Sequence, residues 1–183
     1  MTAEYAASIL VVEDQAGLAD AYTAVLKGAY DVRTAYDGQQ ALDMVDEEVD
    51  VVLLDRRMPG MSGDEVLAAL DERGITAQVA MLTAVEPDVD IVEMPFDDYA
   101  IKPVDNETLL DMVEFLLARN EFTEKSQEFF RLAAKKRALE SADREMTEEY
   151  SAIVAEMRSL KHEVDGTMDE LASVAGFNDV SSI

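Results

Sequence analysis

The chain has 183 residues, 49% of them hydrophobic, enough for one packed domain plus an appendage. Asp and Glu number 40 against 15 Lys and Arg, and the net charge of −25 opposes broad electrostatic adhesion to nucleic acid or anionic membrane. Cys is absent, which excludes disulfides and thiolate metal sites. No apolar run approaches the roughly 20 residues that span a bilayer. The opening Met1-Thr2-Ala3-Glu4-Tyr5 has no basic stretch of the secretory kind, so a cytoplasmic protein is expected. The acids are spread along the whole chain instead of forming one tail. Molar salt would screen their mutual repulsion, since the Debye length falls to roughly 3 Å at 1 M. A halophilic cytosol is therefore the expected setting, with a mesophilic acidic protein as the alternative.

In chain order, Ser8-Ile9-Leu10-Val11-Val12 reads as a first strand and leads into Glu13-Asp14. Ala16 to Leu26 carries apolar residues at helical spacing, with Gly28 as its stop. Val32 to Ala35 is a second strand. Asp37 is placed to cap a second helix whose Ala41, Leu42 and Val45 face inward. Val51 to Leu54 is a third strand, apolar throughout, and it delivers Asp55 to its end. A loop punctuated by Pro59, Gly60 and Gly63 follows, and Ser62 opens a third helix with Val66, Leu67 and Leu70 inside and Gly74 beyond it. Val79 to Leu82 is a fourth strand ending at Thr83. Pro87 and Pro95 leave room only for a stunted helix between them. Tyr99-Ala100-Ile101 is a short fifth strand ending at Lys102-Pro103, and Asn106 to Leu117 is an amphipathic helix. Five strands alternating with helices through short connections predict a parallel sheet with right-handed crossovers, ending near Arg119.

From Asn120 the pattern changes. Apolar residues recur by sevens in two series. One runs Phe129, Tyr150, Met157, Val164, Leu171, with breaks at Lys136 and Asp143. The other runs Leu132, Leu139, Met146, Ile153, Leu160, then Thr167. Such a seam predicts helices that either pair between chains as a coiled coil or fold back as a hairpin. The division expected is 1–119 for the α/β domain and 120–183 for an acidic helical region.

Four strand ends carry polar residues: Glu13 and Asp14, Asp55, Thr83, and Lys102. In a parallel sheet these ends share one edge, where ligands bind. Taken singly, each has a bland reading: a capping Asp, a solvated acid, a β-branched strand end, a surface cation. Converging carboxylates repel unless a cation relieves them, and an oxygen-only donor set points to Mg²⁺. Lys102 adds a point charge suited to a phosphoryl oxygen, and Thr83 a hydroxyl. The set describes a carboxylate that attacks phosphorus while its neighbours hold the developing charge.

The pieces Val12-Glu13-Asp14, Leu53-Leu54-Asp55, Met58-Pro59-Gly60-Met61-Ser62-Gly63, Leu82-Thr83-Ala84 and Tyr99-Ala100-Ile101-Lys102-Pro103, in this order over residues 8 to 119, closely resemble the receiver domain of two-component response regulators. The resemblance implies a flavodoxin-like five-stranded parallel sheet of order 2-1-3-4-5. It implies that Asp55 takes a phosphoryl group from a phosphohistidine on a sensor histidine kinase. Asp14, Asp55 and the backbone carbonyl of Arg57 would bind Mg²⁺, with Glu13 acting through a metal-bound water. Lys102 would pair with the phosphoryl group, Thr83 would swing toward it, and Tyr99 would turn inward behind it. Two features depart from the family's pattern. Arg57 stands two residues after the nucleophile, where its bulk bears on phosphoryl lifetime, and the stretch from Thr83 to Lys102 is short. Arg56 reads as a solvent-facing neighbour. The tail, through Glu128-Phe129-Phe130-Arg131-Leu132-Ala133-Ala134-Lys135-Lys136-Arg137, resembles the HalX-type domain appended to receivers in haloarchaea.

Three functions are expected in order. The first is a phosphoacceptor switch, not a turnover enzyme, with output through protein contacts and a homodimer through the C-terminal helices. The second is a DNA-binding regulator acting through those helices: Arg131, Lys135, Lys136 and Arg137 form a basic cluster, yet no helix-turn-helix with a Gly turn is legible. The third is a phosphohydrolase with an aspartyl nucleophile, which usually wants a general acid where Arg57 stands. His162, the only His, is assigned no role.

Overall fold

Short strands of four to six residues, separated by helices, leave the chain one economical arrangement: all strands parallel, with helices on both faces. The computed structural model, which describes residues 6–85, 93–141 and 146–174, has this arrangement. The strands are β1 (Ser8–Val12), β2 (Asp31–Ala35), β3 (Val51–Leu54), β4 (Gln78–Thr83) and β5 (Asp98–Ile101). They form one parallel sheet in the order β2-β1-β3-β4-β5. The connecting helices are α1 (Ala16–Leu26), α2 (Gly38–Met44) and α3 (Gly63–Glu72), and α4 (Asn106–Ser141) and α5 (Glu148–Val174) follow the sheet. The expected stunted helix after Thr83 falls largely on residues 86–92, outside the described residues.

Because successive side chains of a strand point to opposite faces, the sheet has two cores. On one side Leu10, Val12, Val52, Leu54 and Met81 pack with Ala41 and Leu42 of α2 and Val66, Leu67 and Leu70 of α3. On the other, Ile9, Val11, Leu53 and Leu82 pack with Tyr22 and Leu26 of α1 and Leu109, Val113 and Leu116 of α4. The central strands β1 and β3 are buried along their whole length, as the apolar runs Ile9–Val12 and Val51–Leu54 require.

The helix ends follow local chemistry. Asp37 caps α2, its carboxylate accepting from the Gln40 N–H at 2.8 Å. Ser62 and Glu65 form a reciprocal capping box at the start of α3. Gly74 follows α3 with φ +68°, a conformation only Gly adopts cheaply. Gly28 does not serve α1 in that way: the helix closes through Lys27 in ordinary helical geometry.

Two compact units are present, Met1–Leu117 and Ala118–Ile183. Helix α4 extends to Ser141, well past the expected end near Leu117, because no Gly or Pro interrupts residues 106–141. Within the second unit, α4 and α5 pair antiparallel. Lys125 meets Glu163 at 3.2 Å, and the Lys136 ammonium lies 5.6 Å from the centre of the Tyr150 ring. The chain therefore forms the folded-back hairpin. Lys136, which interrupts the sevenfold apolar series, is accommodated as a cation over an aromatic face. Leu132 is buried, whereas Ile153, Met157, Leu160 and Val164 are half-buried. Met146 breaks the series: it is 99% exposed. It lies in the turn before α5, where Thr147 accepts from the Tyr150 N–H, so the heptad phase of α4 does not carry through. The side chains of Leu139, Asp143, Thr167 and Leu171 fall outside the described ones.

Candidate functional site at the carboxyl edge of the sheet

Strand register alone brings the predicted residues together. Val12 lies opposite both Ala35 and Leu54, Leu54 opposite Met81, and Thr83 opposite Ile101. The residues that follow each strand therefore emerge side by side. Backbone bonds extend the ladders by one step. Glu13 N–H donates to the Ala35 carbonyl at 3.1 Å, Asp55 N–H to Val12 at 2.9 Å, and Lys102 N–H to Thr83 at 2.9 Å.

Carboxylate oxygens of Glu13, Asp14 and Asp55 lie within 4.8 Å of one another. Asp14 is half-buried, while Glu13 and Asp55 are 2% and 5% exposed. The Lys102 ammonium, itself largely buried, lies 3.4 Å from Asp55 Oδ2 and bonds the Glu13 carboxylate. The Gln15 N–H donates to Glu13 Oε1 at 3.1 Å, and the Arg57 N–H to Asp55 Oδ1 at 3.3 Å. Burial pushes the Glu13 carboxyl above its ordinary value, against the pull of Lys102 and the Gln15 N–H. Burial also works against the Lys102 ammonium. The Glu13 hydrogen bond and the Asp55 charge outweigh it, so Lys102 holds its proton more tightly than in water. One ammonium set among three carboxylates leaves the site net negative, open on the Asp14 side.

Thr83 is fully buried, and its hydroxyl accepts from the Val85 N–H at 3.2 Å. The half-buried Tyr99 donates from its hydroxyl to the Val85 carbonyl at 2.7 Å, and its ring lies 5.5 Å from Phe96. Backbone groups of Val85 thus join the two side chains. Arg57 is exposed, and His162 is exposed on α5.

Arg56 corrects the solvent-facing expectation. It is 9% exposed and forks onto Asp64, with Nε to Oδ1 at 2.9 Å and Nη2 to Oδ2 at 3.2 Å. Gly63 is packed just as closely: a Cβ built there would stand 2.1 Å from the Asp55 carbonyl oxygen. The sequence held a faint signal of this neck, opposite charges flanking a Pro-Gly loop, but spacing alone does not say that two charges eight residues apart will meet.

The donor set suits a hard divalent cation: three carboxylates, with no His or Cys among them. Comparison with known proteins agrees with the fold. Residues 9–114 match the response regulator receiver domain, and residues 118–181 match the HalX domain. A Haloferax volcanii protein provisionally named a transcriptional regulator is 49% identical over 152 residues, 82% of this chain and 26% of that protein. The transcriptional regulatory protein CpxR of Escherichia coli is 36% identical over 123 residues, 65% of this chain and 53% of that protein. The crystal structure of the response regulator DrrB of Thermotoga maritima is similar at 30% identity with a TM-score of 0.57, covering 62% of this chain and 54% of that one. The chain spans about a quarter of the Haloferax protein and about half of CpxR. The chain belongs to the response regulator receiver domain family and carries a HalX domain after the receiver.

Proposed function

We propose that this chain is the phosphoacceptor switch of a phosphorelay, receiving its phosphoryl group from a sensor histidine kinase. The observation that carries this reading is the buried Asp55 carboxylate, with Lys102 3.4 Å from it and the Glu13 and Asp14 carboxylates alongside. An Asp55 oxygen forms a P–O bond as the P–N bond of a phosphoimidazole breaks, and the leaving imidazole takes up a proton. Lys102 holds its charge against the phosphoryl oxygens, which develop negative charge where it already points. Glu13 keeps Lys102 oriented. Thr83 and Tyr99 form the switch: a turn of the Thr83 hydroxyl toward the phosphoryl group releases the Val85 N–H it now accepts from, and Val85 also anchors the Tyr99 hydroxyl. Asp14, Asp55 and the Arg57 carbonyl, with Glu13 nearby, would hold Mg²⁺, which supplies charge neutralisation at the phosphoryl oxygens when bound.

The site favours a switch over a turnover phosphohydrolase, because Arg57 stands where such an enzyme wants a general acid. The receiver is assigned to residues 1–119 and the output region to 120–183, in a cytoplasmic protein. Among the described residues no helix is long and apolar enough to cross a membrane. The apolar surface that Ile153, Met157, Leu160 and Val164 still expose after α4 and α5 pair supports association of two such hairpins through the tail. The Haloferax relative's name supports a second reading, DNA binding by the tail, which a gel-shift survey in high salt finding a preferred site would favour.

The test is incubation of the full chain with acetyl phosphate and Mg²⁺. Mass spectrometry is expected to show a single added phosphoryl group, absent from Asp55→Asn. Equal uptake by the variant, or none by the wild type, overturns the reading. Unphosphorylated wild type, weighed in solution at molar salt with beryllofluoride and Mg²⁺, is expected to show two chains.

A further inference from the structure

The loop between β3 and α3 is closed at its neck by a backbone hydrogen bond and an ion pair. The Gly63 N–H donates to the Arg56 carbonyl at 2.8 Å, and the Arg56 guanidinium forks onto Asp64. Between these feet sits Arg57, whose N–H already reaches Asp55 Oδ1 at 3.3 Å. A guanidinium as buried as Arg56 is costly unless its donors are satisfied, and Asp64 accepts from two of its nitrogens. Asp64 is the steadier partner, because a carboxylate in the first turn of a helix is favoured by the helix's own dipole. Gly63 completes the closure. With no side chain it lets α3 begin almost on top of the Asp55 carbonyl, which ties the first turn of the helix to the nucleophile's own peptide.

We propose that Arg56 and Asp64 form a latch that fixes the Arg57 peptide, so that its carbonyl faces the metal position while its N–H holds Asp55. Arg56 is thereby a positioning residue for phosphorylation of Asp55. This deepens the phosphoacceptor reading and rests on it. The fork matters as well as the charge: Lys places one point donor where Arg places two in a plane.

Mg²⁺ binding to the full chain, measured by titration calorimetry in molar potassium chloride, tests the latch directly. Arg56→Gln and Asp64→Asn are each expected to weaken Mg²⁺ binding by about tenfold, as loss of an outer partner of a metal ligand commonly does. The double variant is expected to be no weaker than the singles, since either change opens the same latch. Arg56→Lys is expected to recover only part of the affinity. The rise in melting temperature caused by Mg²⁺ should shrink in step, whatever the variants' melting temperatures without the ion. A merely structural pair would lower the metal-free melting temperature and leave Mg²⁺ affinity unchanged. Affinities within twofold of wild type in both single variants overturn the latch. Should Arg56→Gln fail to fold, Asp64→Asn, at a half-exposed side chain, decides the matter alone. The wild-type acetyl phosphate experiment is independent of these variants, so its failure would remove the phosphoacceptor reading, while unchanged affinities in the variants would remove only the latch.

Discussion

Gly63 shows how much the site depends on single atoms. Its backbone angles are open to other residues. What excludes them is space: an added methyl would meet the Asp55 carbonyl oxygen at 2.1 Å and the Arg56 Cα at 2.7 Å, both backbone atoms that cannot turn aside. Gly63→Ala is therefore expected to cost about 3 kcal/mol by urea unfolding, at the upper end of ordinary overpacking, and to weaken Mg²⁺ binding along with it. Asp55 and Lys102 were legible because each follows a short apolar strand, and strand ends in a parallel sheet converge. Arg56 was not legible. A charge in a Pro-Gly loop looks solvated until its partner is seen, and the partner is set by where α3 begins.

At the scale of the element, α3 is the best-specified helix in the chain. Ser62 and Glu65 cap each other, and Asp64 and Glu65 sit in its first turn. Ser62→Ala is expected to cost about 1 kcal/mol. The Ser62 N–H and hydroxyl hold the Glu65 carboxyl below its ordinary value. A lowered carboxyl contributes stability above its unfolded pKa of about 4.3 and loses it as pH falls through the folded value. Glu65→Gln removes that carboxylate, so the wild type should lose more stability than Glu65→Gln between about pH 5 and 3, a difference that melts across that range would detect; equal losses would count against the box. The tail was legible as helical and only partly in phase. Its heptads ran on paper through Met146, but reversing the chain resets the phase, because helices that turn back on each other need not keep one register.

For the whole molecule, charge decides the setting. A net charge of −25 on 183 residues destabilises the compact state through self-repulsion. Raising potassium chloride from about 0.1 to 1 M shortens the Debye length from about 10 to 3 Å, and the thermal midpoint is expected to rise across that range. A midpoint that falls with salt would mean that surface ion pairs such as Arg33 with Asp46 outweigh the repulsion.

The strand order was implied only by the family resemblance, whereas composition and periodicity by themselves determined the parallel sheet and the four strand ends that meet at one edge. These follow from rules that act along the chain: alternation, helical spacing, and the single direction of parallel strands. Only the tertiary structure decided that Arg56 is buried on Asp64, that Val85 joins Thr83 to Tyr99, and that the tail folds back on itself with Lys136 over Tyr150. Each of these is a contact between side chains, or between a side chain and a backbone group, whose meeting depends on where two elements come to rest, and no local pattern records that distance.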